Sequence, residues 1–484
     1  MCLDLATLAT SAHPFLPDPL CEACGDLPDD TADAARIAIQ SRRKASPTSY
    51  RARPLSETAD RDRLLARYVD AEAGLIPSVT RTVDSTFPGA WSPVGLRGSV
   101  YRSNGSGRTL DYRAAEITAI TETIERYGGL QPGGKRTTVR ASYRELGDQA
   151  LDPTRVGLPS DEQYALPGYS YQRYHHDLTL DWVWGYSFAE RRPLLVPECY
   201  AYYGGRRRNH ADRPFVAETS NGCALGGCLE EAILYGLLEV AERDAFLMTW
   251  YQRLPAPRID VASVPATQAL MIDRFESVSG YTVHLFDTTM EQGIPCVWAM
   301  AVDEGDRPEQ PKALCAAGSH LDPRKALTGA LLELARHPDR AARSYQRNRD
   351  RVLEMVADPF AVKEMADHEL LYCAPEAFER FSFLLTTPAT TPFAEAFGGL
   401  LAPSLDLADD LRGAIGRYLD TALDVVVVDQ TTPEHAVEGF CCVKVIVPGA
   451  VPMVFGYHNQ RVYGLDRLYR AGCQELNPHP HPFP

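Results

Sequence analysis

Apolar residues recur along the chain with a helical period in two places. Ile117, Ile120, Ile124 and Tyr127 fall three or four residues apart and predict a helix with one apolar stripe. At about 100° per residue, Thr118, Glu122 and Glu125 share a different face of it. The run GGL at 128–130 supplies a stop signal. A second helix is predicted from about 229 to 250, with Leu237, Val240, Ala241 and Phe246 able to pack inward. On it Glu231, Tyr235, Glu239 and Glu242 are spaced 4, 4 and 3 and line one edge. The segment SNGCALGG at 220–227 leads into this helix. A third helix is predicted over Lys325–Arg336, with Glu333 near its end, and a short one over 30–42. The runs DVVVV at 424–428 and VKVIV at 443–447 read as buried strands, the latter ended by Pro448 and Gly449. Between the 30–42 helix and residue 61, SRRKASPTSYRARP reads as a linker, so residues 1–60 form an extension and 61–484 the main body. No internal repeat is present.

Length and charge narrow the class. At 484 residues the chain is too long for one simple core, and two or three packed subdomains are expected. With 49 basic and 64 acidic residues the net charge is −15, which argues against broad nucleic-acid or anionic-membrane binding. No run of 18 or more apolar residues occurs, so no transmembrane helix is expected. Met1 to Leu16 has no basic residue ahead of its apolar stretch and does not read as a secretory signal. Twelve cysteines without framework spacing read as reduced thiols in a cytoplasmic protein.

The candidate chemistry lies on the two helices. They share an E-x-x-E-R ending, ETIER and EVAER. Carboxylates three, four or seven apart on a helix repel one another, and a fold tolerates the row where something positive sits against it. Hard oxygen ligands suit Mg2+, which bridges to substrate phosphates. The adjacent Arg126 and Arg243 can clamp phosphate oxygens with a two-pronged hydrogen bond. The alternative is a solvated acidic face with ordinary salt bridges. No G-x-x-x-x-G-K-S/T loop appears. The glycine-rich GSGRT at 105–109 would let backbone amides and Arg108 approach phosphate, or it is a plain surface turn.

Two terminal features stand apart. Cys21-Glu-Ala-Cys24 has the knuckle spacing of a zinc site but has no second C-x-x-C to complete it. Two free thiols in a docking segment fit equally. The chain finishes in NPHPHPFP, whose alternate prolines favour a stiff extended tail. By composition alone this is a disordered terminus with incidental histidines or a weak metal-binding tract.

Taken together, TAITETIERYGG, SNGCALGGCLEEAILYGLLEVAERDAF and VDQTTPE…VKVIVPG resemble the YcaO family, over roughly residues 90–484. The resemblance implies an α+β fold in which helices pack on largely antiparallel sheets. It implies ATP binding without a P-loop, with Glu122, Glu125, Glu231, Glu239 and Glu242 helping to hold Mg2+ and phosphates. Thr118, Arg126, Arg243 and Arg108 support that site. The third motif is half present: Glu333 matches, but Gly329 stands where an arginine is usual, and Arg324 is the expected substitute. Tyr235 and Gly227 also depart from the pattern. A PxPxP ending is typical of the azoline-forming cyclodehydratases, where the tail projects toward the active site, so Pro482 and Pro484 are the catalytic candidates. The implied reaction is ATP-dependent conversion of Cys, Ser or Thr in a precursor peptide to a thiazoline or oxazoline. A thioamide- or amidine-forming enzyme and a catalytically reduced scaffold are the alternatives. The implied partner is a separate leader-binding protein of ubiquitin-activating type, docked through residues 1–60 and able to complete a zinc site with Cys21 and Cys24. A homodimer is the expected assembly.

Overall fold

The computed structural model describes residues 2–3, 6–8, 10–13, 15–23, 25–52, 60–83, 86–95, 102–204, 213–336, 338–386, 389–398, 403–469 and 475–484. The strands that frame the site are, in chain order, β1 Thr80–Thr82, β2 Gly89–Gly95, β3 Arg102–Arg108, β4 Val139–Ser142, β5 Thr179–Ser187, β6 Arg192–Pro197 and β7 Cys223–Gly226. They continue with β8 Arg258–Ile259, β9 Thr282–Asp287, β10 Cys296–Val302, β11 Ala313–Ser319, β12 Thr390–Thr391, β13 Val426–Asp429 and β14 Cys441–Ile446. These make a three-stranded sheet β1-β2-β3, a six-stranded sheet β4-β5-β13-β14-β7 with β6 beside β5, and a five-stranded sheet β11-β10-β9-β8-β12. Each pairing is antiparallel except β8 with β12. The mixed fold of helices on largely antiparallel sheets is therefore the one expected. Among the described residues no helix is long and apolar enough to cross a membrane.

The helices that matter here are α1 Arg61–Tyr68, α2 Tyr112–Leu130, α3 Leu229–Gln252, α4 Pro323–Leu334, α5 Met365–Leu371 and α6 Leu407–Asp420. The Asp111 side chain caps α2 by accepting from Ala114 N–H. The stripe Ile117, Ile120 and Ile124 is buried against α1 and the loop around Ile76. The helix also lies across β2 and β3 and reaches β7 and β14. Helix α3 rests on the same β7–β14 edge from its other side, and on β10 and β11. All three sheets thus meet the two carboxylate helices. The valine runs 424–428 and 443–447 become the neighbouring strands β13 and β14, with Val426 opposite Ile446 and Val428 opposite Lys444.

Several local expectations are corrected. Helix α2 ends at Leu130, the last residue of GGL, but both glycines lie inside its final turn. A Cβ on Gly128 would lie 2.5 Å from His435 Cε1, so that glycine serves close packing rather than termination. GSGRT is not a turn, because residues 102–108 form β3. A Cβ on Gly107 would lie 2.1 Å from the Ala115 carbonyl oxygen, so the glycine lets β3 sit directly on α2. The third helix begins and ends two residues early, leaving Arg336 just past its end. Residues 30–42 hold no helix. Their backbone groups find partners elsewhere: Gln40 N–H donates to Glu230 (2.8 Å), and Arg42 C=O accepts from Leu407 N–H (2.9 Å). Ile37 and Ile39, two apart, both pack on the core beneath this strap. Nor is the described part of the SRRK… stretch a free linker. Lys44 is buried in a salt bridge with Asp410, and Tyr50 is buried beside His320.

Candidate functional site

Four of the acidic motif residues are each held by a backbone N–H from a strand or the turn leading into one. Glu122 accepts from Ser106 N–H on β3 at 2.5 Å, and Glu125 from Leu225 N–H on β7 at 3.2 Å. Glu239 accepts from Gly222 N–H at 3.0 Å, and Glu242 from Ser319 N–H at the end of β11 at 3.0 Å. The sheets therefore aim the carboxylates, and the helices only carry them. Arginines one turn on, or adjacent, face the other oxygens. Arg126 Nη2 is 2.7 Å from Glu122 Oε1, Arg243 Nη1 is 3.2 Å from Glu242 Oε1, and Arg243 Nη2 is 3.7 Å from Glu239 Oε1. The side chains of Glu122, Arg126, Glu239, Glu242 and Arg243 keep 17–28% exposure, so they line an accessible cleft rather than a sealed core.

The motif side chains of α2 and α3 lie within electrostatic reach of one another. Burial pushes the Glu125 carboxyl well above its ordinary range; the charges of Glu239 and Glu122 add to the rise, and Arg126 opposes it. Glu239 and Glu242 are also raised by burial, against the pull of Arg243. Burial works against the charges of Arg126 and Arg243, but the surrounding carboxylates outweigh it and hold both above the usual arginine value. Glu333, at the end of α4, acts on both Glu242 and Arg243, so the third predicted helix reaches the cleft.

A carboxyl with a raised native pKa contributes stability that is fully present below its unfolded pKa, near 4.5, and lost as pH rises through its folded value. Above that window, ionised Glu125 destabilises the ligand-free chain. Glu125→Gln is accordingly expected to raise the melting temperature by a few degrees at pH 8 and to lose that gain below pH 4. Melting curves at the two pH values check this.

The other predicted residues are placed as follows. Arg108, half-buried at the end of β3, donates from Nη2 to the Arg336 carbonyl at 3.4 Å. The Thr118 hydroxyl donates to the Ala114 carbonyl within its own helix (2.9 Å). Glu231 lies two turns before Glu239 on the same edge of α3, but it is buried in a salt bridge with Arg51 of the strap. The Arg51 guanidinium also covers the Tyr235 ring, 4.7 Å from its centre. The expected substitute Arg324 is not at the cleft: it pairs with Asp322 at 2.7 Å, at the opposite end of α4 from Glu333. The residue that does reach the cleft is Arg336, whose Nη2 donates to Ser106 Oγ at 3.2 Å. Sequence reasoning also missed Ser106 and Ser319, because a backbone amide gives no sequence signal.

The tail is buried. Trp250 Nε1 donates to the His479 carbonyl (2.9 Å), Tyr372 OH to that of Pro480 (2.6 Å) and His368 Nδ1 to that of His481 (2.8 Å). Phe483 stacks on Phe246 with 3.7 Å between centroids, and the Arg243 guanidinium lies 5.8 Å from the other ring of that pair, Phe246. His481 is pushed well below the usual imidazole value by burial, with His368 and Arg243 adding to it. The composition-based reading of a disordered terminus is thus corrected: the chain end is threaded beside the arginine of the second motif. Pro482 is buried and Pro484 half-buried.

Among the described residues no three His, Cys, Asp or Glu side chains are arranged to hold a metal ion by themselves. Cys21 is half-exposed, and Cys24 lies outside the described residues.

Carboxylate–arginine pairs on two helices seated on antiparallel sheets, without a P-loop, are the arrangement the site offers. The chain belongs to the YcaO family: residues 106–451 match the model described as YcaO cyclodehydratase, ATP- and Mg2+-binding. Among solved structures, a heterocyclase in complex with substrate and cofactor superimposes with a TM-score of 0.74 at 22% identity, covering 99% of this chain and 64% of that one. YcaO from Methanopyrus kandleri bound with AMPPCP and Mg2+ gives a TM-score of 0.52 at 19% identity, covering 78% of this chain and 86% of that one. At these identities the likeness is one of fold. An uncharacterized protein of Methanothermobacter thermautotrophicus is 29% identical over 239 residues, which span 49% of this chain and 56% of the relative. The chain thus spans about half the length of the curated relatives it matches.

Proposed function

We propose that the protein is an ATP-dependent cyclodehydratase of a ribosomally made peptide. The Cys, Ser or Thr side chain adds to the preceding backbone carbonyl, and the resulting oxyanion takes the γ-phosphoryl group of ATP, releasing ADP. The amide nitrogen then loses its proton, the ring C=N bond forms and phosphate departs. Amide oxygen leaves poorly, and phosphorylation converts it into a good leaving group. Mg2+ ions, each bridged to nucleotide phosphates through one or two of the carboxylates Glu122, Glu125, Glu239 and Glu242, would neutralise charge on the transferring group. Arg126 and Arg243, already oriented by those carboxylates, bind phosphate oxygens in the same cleft.

One observation carries the choice of reaction: the PxPxP tail, which lies beyond the family match, is seated against Phe246 and within electrostatic reach of Arg243. That seating supports a role for the chain end beside the proposed nucleotide site, where the peptide must lie for its oxygen to be phosphorylated. A separate leader-binding protein of ubiquitin-activating type delivers the peptide. The 1–60 extension, whose strap from Ile37 to Arg51 packs on α3 and α6 of this chain, is the docking element of that reading. The test is mass spectrometry of a Cys/Ser/Thr-rich peptide from the neighbouring reading frames, incubated with this protein, the partner and ATP. Loss of one water per ring, only with ATP, is expected; ATP turnover with no change in peptide mass would sink the proposal.

A further inference from the structure

Arg336 stands at the mouth of the cleft without belonging to any motif. It follows the last residue of α4 by two positions and keeps 32% of its side chain exposed. Its Nη2 donates to Ser106 Oγ at 3.2 Å, and its Nη1 lies 3.4 Å from Glu333 Oε2. The same Ser106 gives its backbone N–H to Glu122, so Arg336 and the first motif meet on one residue of β3. Its own carbonyl accepts from Arg108, which brings a second guanidinium alongside.

Two like charges are thus held together by backbone geometry, with Glu333 beside Arg336 and within electrostatic reach of Arg108, Glu242 and Arg243. The burial of Arg108 and the neighbouring charge of Arg336 both depress the Arg108 guanidinium, with Glu333 pulling the other way. An arginine with only a solvating role would swing into water and away from another cation. Arg336 is instead turned inward onto a neutral hydroxyl, and its ion pair among the described residues is a 3.4 Å contact with a carboxylate that is 55% exposed. Paired guanidinium groups converging on a cleft suit a polyphosphate oxyanion, because each fork can take two oxygens and the anion relieves the repulsion.

We infer that Arg336 and Arg108 form a two-guanidinium clamp for the terminal phosphoryl group of the nucleotide. The clamp rests on the reading that the cleft holds Mg2+ and ATP. Arg336 therefore separates nucleoside triphosphate from diphosphate, since only the triphosphate places an oxyanion between the two forks.

The probes are AMPPCP and ADP, each with Mg2+, titrated calorimetrically into the full chain. Arg336→Ala is expected to weaken AMPPCP about 10- to 100-fold, the range for lost charge-assisted hydrogen bonds, and to leave ADP within about twofold. Arg336→Lys keeps the charge but not the fork, and is expected to fall between the two. The melting temperature without nucleotide should not move, whereas a structural role for Arg336 would lower it and weaken both nucleotides alike. A wild-type chain that binds neither nucleotide overturns the ATP reading and the clamp together. A wild-type chain that binds AMPPCP while Arg336→Ala binds it equally well, or loses ADP in parallel, overturns the clamp alone.

Discussion

Glu242→Gln is expected to lower ATP-dependent peptide modification by about 100- to 1000-fold, the loss that follows removal of one preorganised charge-stabilising group from an active site. The substitution keeps shape and removes one negative charge. Two things follow at the cleft. The proposed Mg2+ site loses one oxygen ligand, and Arg243 loses its nearer counter-charge and turns toward Glu239. The fold should tolerate the change. Burial already raises the Glu242 carboxyl above its ordinary range, so a neutral amide suits the site at least as well as the carboxylate does. Phosphate release and product mass, measured beside a melting curve, separate lost chemistry from lost structure. A Glu242→Gln protein of normal stability that still makes rings at the wild-type rate would show that the nucleotide is held elsewhere.

The second large effect is expected at the chain end. The tail enters the fold through Asn477, whose N–H donates to the Tyr251 carbonyl at 2.7 Å and whose side-chain amide donates to that of Trp250 at 3.2 Å. Prolines offer no N–H, so the tail contributes mostly carbonyl acceptors, and Trp250, Tyr372 and His368 supply the donors. Phe483 anchors it between Phe246 and Trp298, with centroids at 3.7 and 4.6 Å. Phe483→Ala is expected to cost about 3–5 kcal/mol of stability, as for a large buried aromatic, and to abolish ring formation as the tail unseats. Deleting Pro484 alone leaves that anchor in place. It is expected to slow ring formation about tenfold or more through misplacement of the chain end, with an unchanged melting temperature. Rate and melting curves on both variants check this; full activity after Pro484 deletion would remove the tail from the reaction.

Legibility in the sequence followed the physical origin of each feature. The helical periods at 117–127 and 229–250 were readable because one stripe of each helix must be buried, and their repeated E-x-x-E-R endings exposed the cleft. The valine-rich strands were readable for the same reason. The 30–42 stretch was misread because its helix-forming residues have stronger partners elsewhere: Glu230 takes the Gln40 amide, and Leu407 the Arg42 carbonyl. Glycines misled twice. Gly107 and Gly128 read as turn and stop, yet each exists so that another element can come close. Arg336 carried no signal, since its place depends on where α4 ends relative to β3, a distance in space that spacing along the chain does not encode. Alternating prolines in the tail looked like disorder because composition does not report the ring donors that wait for its carbonyls.

The central claim is that phosphate passes to the oxygen of the peptide backbone. A precursor peptide with heavy oxygen placed in the carbonyl preceding a cyclising Cys, Ser or Thr tests it directly. After reaction with the protein, its partner, Mg2+ and ATP, the released inorganic phosphate should carry the heavy atom in step with ring formation. Rings formed while the label appears in water and the phosphate stays unlabelled would contradict it.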